Sequence, residues 1–121
     1  MHDPKTIADA YIRVWNEADP AERRAQLARY WSAKARYADP LMRAEGREAI
    51  AVMIEDARAQ FPGYGFTLGS TPDGHDAYVR FSWGLAPAGE ATLIEGTDMV
   101  RLDGDGRIAE VIGFLDKVPA A

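Results

Sequence analysis

LIEGTDMVRL, residues Leu93 to Leu102, alternates in the manner of a strand with two unlike faces. Ile94, Gly96, Asp98, Val100 and Leu102 fall on one face; Leu93, Glu95, Thr97, Met99 and Arg101 fall on the other. The more uniformly apolar face therefore carries Asp98. A carboxylate turned toward a core must be paired, hydrogen-bonded or protonated, because stripping water from a lone ionised group costs many kcal/mol. Two readings of Asp98 follow. Either it is tied to a backbone N–H or an arginine, with Gly96 marking a bulge that flips the register, or it lines a pocket whose apolar walls keep its proton on.

Working outward, the second half of the chain reads as a meander of four strands: YGFTLGST, AYVRFSWGLA, ATLIEGTDMVRL and RIAEVIGFLD. They are separated by the turn signals PDGHD, PAGE and DGDG. In the second of these strands Val79, Phe81, Trp83 and Leu85 share a face. The first half reads as helices. Asp3-Pro4 opens one with Ile7, Tyr11, Val14, Trp15 and Ala18 at helical spacing. Asp19-Pro20, with Glu22 positioned for a capping box, opens a second that runs through Trp31. GREAIAVMIEDARAQFPG is a third, with Ile50, Met53, Ile54, Ala57 and Phe61 along one side and Pro62-Gly63 as its stop. The short strand ARYADP, ended by Asp39-Pro40, lies between the second and third helices. Helices segregated before an antiparallel sheet define an α+β fold, expected here as a curved sheet wrapped around the helices.

At 121 residues, with 47% hydrophobic and 27% charged, the chain has the balance of one globular domain spanning residues 1–121. No apolar run reaches the ~18 residues of a membrane span, and MHDPKTIADA lacks a secretory pattern, so a soluble, cytoplasmic protein is expected. There is no cysteine for a thiolate site, and His2 and His75 alone make an all-histidine metal site implausible. A net charge of −5 and scattered Lys and Arg argue against nucleic acid as a partner.

Three residues stand out as candidates for chemistry, each with a plainer reading beside it. Asp98 has been described. Asp39 either opens an Asp-Pro turn with its side chain bonded to the backbone, or uses the face it shares with Tyr37 to reach a cavity mouth as a general base. Tyr11 either packs beside Trp15 or donates to a developing oxyanion from the floor of a pocket. His75 is read as a solvated turn residue. In a hollow fold Trp15, Met53, Ile54, Phe61, Phe81 and Trp83 would line the ligand site.

AYIRVWNEAD, ARYADPL, EG followed directly by REAI, and GTDMVRLDGDGRI resemble the nuclear transport factor 2-like superfamily, which includes SnoaL-like polyketide cyclases and ketosteroid isomerases. The resemblance spans almost the whole chain. It implies a cone-shaped α+β barrel of the cystatin-like kind, with an antiparallel sheet curled over a helix around a mostly apolar pocket, often as a dimer. Ketosteroid isomerases use an Asp base, with a Tyr and a protonated Asp holding the dienolate oxygen. Motif by motif, these roles fall on Asp39, Tyr11 and Asp98. Where SnoaL-like cyclases often carry His-Trp-Asp on the last strand, this chain has EVIGFLD with Gly113 near the expected Asp, which points away from that type of cyclisation.

Two functions are thus expected in competition. In one, Asp39 moves a proton next to the carbonyl of a small hydrophobic substrate, as an isomerase or a related lyase or cyclase, with no metal or organic cofactor. In the other, the domain is a non-catalytic module that binds an apolar ligand, dimerises through its sheet face or holds a partner protein, with Tyr78, Leu93, Met99 and Arg101 as the contact surface.

Overall fold

The structure, a computed structural model, describes residues 3–119. Helix α1 (Pro4–Asn16) begins at the Asp3-Pro4 pair and buries Ala8, Tyr11, Val14 and Trp15. In α2 (Pro20–Tyr30), the Asp19 carboxylate accepts the Glu22 N–H at 3.0 Å, closing the first turn. Helix α3 (Arg47–Gln60) buries Ile50, Ala51, Met53 and Ile54. The strands are β1 (Trp31–Ala38), β2 (Arg43–Glu45), β3 (Tyr64–Leu68), β4 (Asp73–His75), β5 (Tyr78–Pro87), β6 (Ile94–Leu102) and β7 (Ile108–Lys117).

They form a single sheet in the order β2-β1-β7-β6-β5-β3, with β4 pairing β5 beside β3. Every neighbouring pair is antiparallel except β1 and β7, which run parallel, so the sheet is mixed. That one parallel contact joins the strand emerging from α2 to the last strand of the meander. Register shifts at Glu95/Gly96 and Arg101/Leu102 against β7, and at Trp31/Arg36 in β1, are irregularities of the kind that bend strands. The sheet accordingly curves without closing, and the helices lie on it: α1 against β3 and β5, α2 against β1, α3 against β1 and β2. Among the described residues no helix is long and apolar enough to cross a membrane.

Three local readings change. Trp31 does not end the second helix; it takes extended angles and starts β1, wholly buried, with no Gly or Pro to punctuate the switch. PDGHD is not all turn, because Asp73, Gly74 and His75 pair with Arg80, Val79 and Tyr78 around a tight reversal at Asp76, whose φ is 52°. Arg43–Glu45, to which the sequence pattern assigns no element, doubles back on Arg36–Ala38 and makes the Asp39-Pro40 segment the tip of a hairpin. His2 lies outside the described residues.

Alternation in β6 holds through the bulge. Gly96, Asp98, Val100 and Leu102 are all buried, while Glu95 and Met99 are exposed. Gly96 therefore does not flip the register, and Asp98 faces inward.

Candidate active site

Two elements bring the first pair of groups together. The helical stripe of α1 aims Tyr11 at the sheet, and the inward face of β6 holds Asp98, so the Tyr11 hydroxyl donates to Asp98 Oδ2 at 2.5 Å across 87 positions of chain. Both side chains are 2% exposed. The phenol ring is fixed between neighbours, stacked on Trp31 at 5.8 Å between centroids and edge-on to Phe81 at 5.0 Å. Burial pushes the Asp98 carboxyl up to about 6, against the pull of the Tyr11 hydroxyl and the Trp83 indole, with the charges of Asp39 and Asp116 adding to the rise. Burial, reinforced by the Asp98 charge, holds the Tyr11 phenol well above its ordinary value, so it remains a donor.

Asp39 arrives from the hairpin tip after β1. Its Oδ1 accepts the backbone N–H groups of Leu41 at 2.8 Å and Met42 at 2.9 Å, which makes the turn. Its Oδ2 accepts the Tyr37 hydroxyl at 2.6 Å. One oxygen of Asp39 thus shapes the backbone turn, and the residue also lines the cavity.

Two glycines make the approach possible. Gly113 pairs with Asp98 across β6 and β7, and a Cβ built on it would lie 2.8 Å from Asp98 Oδ1 and 3.1 Å from Asp39 Cβ. Bare backbone here leaves room for both residues on either side of it. Gly96 does the same for Trp83, its partner on β5, whose ring an added Cβ would overlap. Gly113→Ala should therefore reduce any activity that needs both acids by about tenfold or more, since an approximately 1 Å displacement of a reacting group has that scale of effect. Equal rates of Gly113→Ala and wild type in a steady-state assay would remove this position from the site.

The cavity has a volume of about 120 Å³. Tyr11, Asp39 and Asp98 all line it, together with Trp15, Phe61 and Trp83. Among the described residues no group of three or more His, Asp or Glu is placed to hold a metal ion.

The profile of the SnoaL-like domain matches residues 8–111. The chain belongs to the SnoaL-like domain family. A SnoaL-like protein of Agrobacterium tumefaciens str. C58, provisionally called an isomerase, is 50% identical, with a TM-score of 0.89 over 92% of this chain and 95% of that one. Two more distant structures share the fold. One, from Catenulispora acidiphila DSM 44928, has a ketosteroid isomerase-like fold and was solved with trimethylamine; it is 18% identical with a TM-score of 0.70 over 88% of this chain and 82% of its own. The other, from Jannaschia sp. CCS1, is provisionally named a SnoaL-like polyketide cyclase; it is 16% identical with a TM-score of 0.71 over 96% and 90%. No curated protein matches the sequence. The nuclear transport factor 2-like superfamily and its α+β architecture are thus those that the sequence motifs implied.

Within this SnoaL-like domain, three expected lining residues belong elsewhere. Met53 and Ile54 of α3 are buried in the core, and the cavity meets that helix only in its last turns, at Ala57 and Arg58, and then Phe61 just beyond its end. Phe81 does face inward, but it packs behind the Tyr11 ring and contributes to the core rather than the wall. Tyr37, Tyr64, Phe66, Leu115 and Val118 are lining residues the sequence reading did not select. For Tyr37 the signal was present, since it alternates onto the Asp39 face. His75 is exposed on β4, away from the cavity.

Proposed function

We propose that this SnoaL-like domain is a cofactor-independent isomerase that moves a proton within a small, apolar carbonyl compound. The observation that carries the reading is the buried Tyr11–Asp98 hydrogen bond, 2.5 Å long, on a cavity that Asp39 also lines. Asp39 takes a proton from the carbon next to the carbonyl, and the electron pair moves onto the carbonyl oxygen. When Asp98 is protonated it no longer needs the Tyr11 proton: the single Tyr11 O–H, which donates to Asp98 Oδ2 in the ligand-free site, turns to the substrate oxygen and the Asp98 O–H donates beside it, in a site shielded from water, where such donors act most strongly. The proton on Asp39 then returns to the far carbon of the dienolate, giving the conjugated isomer with no net change in protons or electrons.

Cavity size sets the substrate class. A volume of about 120 Å³ compares with the roughly 150 Å³ that accommodates benzene in an apolar protein cavity, which suits the carbonyl end of a monocyclic ketone. The provisional isomerase designation of the Agrobacterium relative and the glycine at position 113 both favour isomerisation over cyclisation. The test is direct: the protein is incubated with β,γ-unsaturated cyclohexenone and formation of the conjugated enone is followed by ultraviolet absorbance. No rate above buffer, with binding of the saturated ketone retained, would replace the enzyme reading with that of a ligand-binding module.

The outer sheet face supports a homodimer. Met99 and Phe114, cross-strand partners of Ile112 and Thr97, are 39% and 58% exposed, with Tyr78 at 37% on the same face. Light scattering should give twice the 13.3 kDa chain mass, and Phe114→Glu should return it to the single-chain value. A monomeric wild-type protein at micromolar concentration would refute the assembly.

A further inference from the structure

Asp39 is hydrogen-bonded in an unequal way. A carboxylate offers about four lone pairs, two on each oxygen. The N–H groups of Leu41 and Met42 occupy both of those on Oδ1, at 2.8 and 2.9 Å. The Tyr37 hydroxyl, at 2.6 Å, occupies one of those on Oδ2. A single lone pair of Oδ2 remains without a partner. Tyr37 is itself 5% exposed, and its ring lies 5.8 Å from that of Trp15, so the hydroxyl is delivered from a side chain with little room to move. Burial, with the Asp98 and Asp39 charges behind it, holds the Tyr37 phenol above its ordinary range and keeps its proton available for donation.

We infer that Tyr37 is the positioning residue of the base: with the two turn amides it locks the Asp39 carboxylate so that protons enter and leave by one lone pair of Oδ2. This rests on the proton-transfer reading above and adds a constraint to it. Because Oδ1 is held by the backbone, the carboxylate cannot rotate to present its other oxygen. Release of the Tyr37 contact would free a second lone pair and loosen the carboxylate about its Cβ–Cγ bond, leaving the backbone turn intact. Tyr37 touches no reacting atom in this scheme; it acts through Asp39.

The test compares wild type with Tyr37→Phe, which keeps the ring against Trp15. On β,γ-unsaturated cyclohexenone, kcat should fall by about tenfold or more with KM changed by less than about twofold, in line with the loss of a hydrogen bond to a charged group. In ligand-free protein labelled with ¹³C at the aspartate carboxyls, the Asp39 resonance, identified by its absence from Asp39→Asn, should shift in Tyr37→Phe at constant pH. A fluorotyrosine at position 37, which retains the shape and donates more strongly, should shift the same resonance in the opposite direction. Equal kcat, or a fall in kcat matched by a rise in KM, overturns the positioning role. A resonance that does not respond to either replacement overturns the contact itself. Absence of turnover in wild type would sink the proton-transfer reading and the catalytic consequence of Tyr37 with it, while the carboxyl resonance still decides whether Tyr37 holds Asp39.

Discussion

Asp39→Asn should lower turnover of β,γ-unsaturated cyclohexenone by about 10³-fold while leaving ligand binding within a few-fold of wild type. Asparagine is the informative replacement because its amide oxygen can accept the Leu41 and Met42 N–H groups that Asp39 Oδ1 accepts now, so the hairpin tip survives. Its amide nitrogen would then meet the Tyr37 hydroxyl as donor to acceptor, reversing that hydrogen bond without emptying it. What disappears is the lone pair basic enough to take a proton. Stopped-flow absorbance for the chemistry, together with fluorescence of Trp15 and Trp83 on the cavity wall for binding, separates the two effects. Turnover by Asp39→Asn within about tenfold of wild type would show that another group is the base and would end this mechanism.

Asp98 should reveal itself through stability as much as through rate. Its carboxyl rises from an ordinary 3.8 to about 6 on folding, with burial the first cause. The folded protein therefore binds more protons than the unfolded chain between those values, and the sign follows from linkage. Stability from this group is full below about pH 4 and is lost as pH rises toward about 6, remaining low above that. At 1.36 kcal/mol per unit, the loss is about 3 kcal/mol for a side chain only 2% exposed. Asp98→Asn has no charge to bury and can still accept the Tyr11 hydroxyl, so at pH 8 it should be more stable than wild type by about 1 to 3 kcal/mol. It should also turn over the enone about 10²-fold more slowly, having lost the acidic donor. Wild-type kcat/KM should fall above about pH 6, as Asp98 loses its proton, and the fall should be absent in Asp98→Asn. Urea unfolding of both proteins from pH 4 to pH 8 isolates the effect as a difference between the two curves. A difference that does not change with pH would mean that Asp98 does not hold its proton up to about pH 6 in the folded protein.

Much of this site is legible in the chain because it depends on periodicity. Period-two alternation alone assigns Asp98 to the inner face, and it assigns Tyr37 to the Asp39 face. Period-3.6 spacing assigns Tyr11 to the buried stripe of α1. Periodicity names a face but not a depth along it. Helical spacing assigns Met53, Ile54 and Phe61 to one side, yet α3 ends at Gln60, so Met53 and Ile54 stay in the core while Phe61, just past the helix end, reaches the cavity. Phe81 is lost from the wall for a similar reason, since the helix that covers it lies some seventy positions earlier. The three-residue strands β2 and β4 have too little pattern of their own; they exist because β1 and β5 offer unpaired edges. The join between Tyr30 and Trp31 escaped notice because the chain passes from helix to strand with no glycine or proline between them.

The proposed base sits on the tip of a hairpin whose outer strand has three residues and one neighbour, whereas Tyr11 and Asp98 sit between a helix and the middle of the sheet. The two halves of the chemistry thus stand on foundations of different strength. Swapping residues 38–43 for another turn would exchange the reagent while leaving the anion-holding floor in place, which makes this peripheral loop a natural point at which a new reaction could be grafted onto an old scaffold.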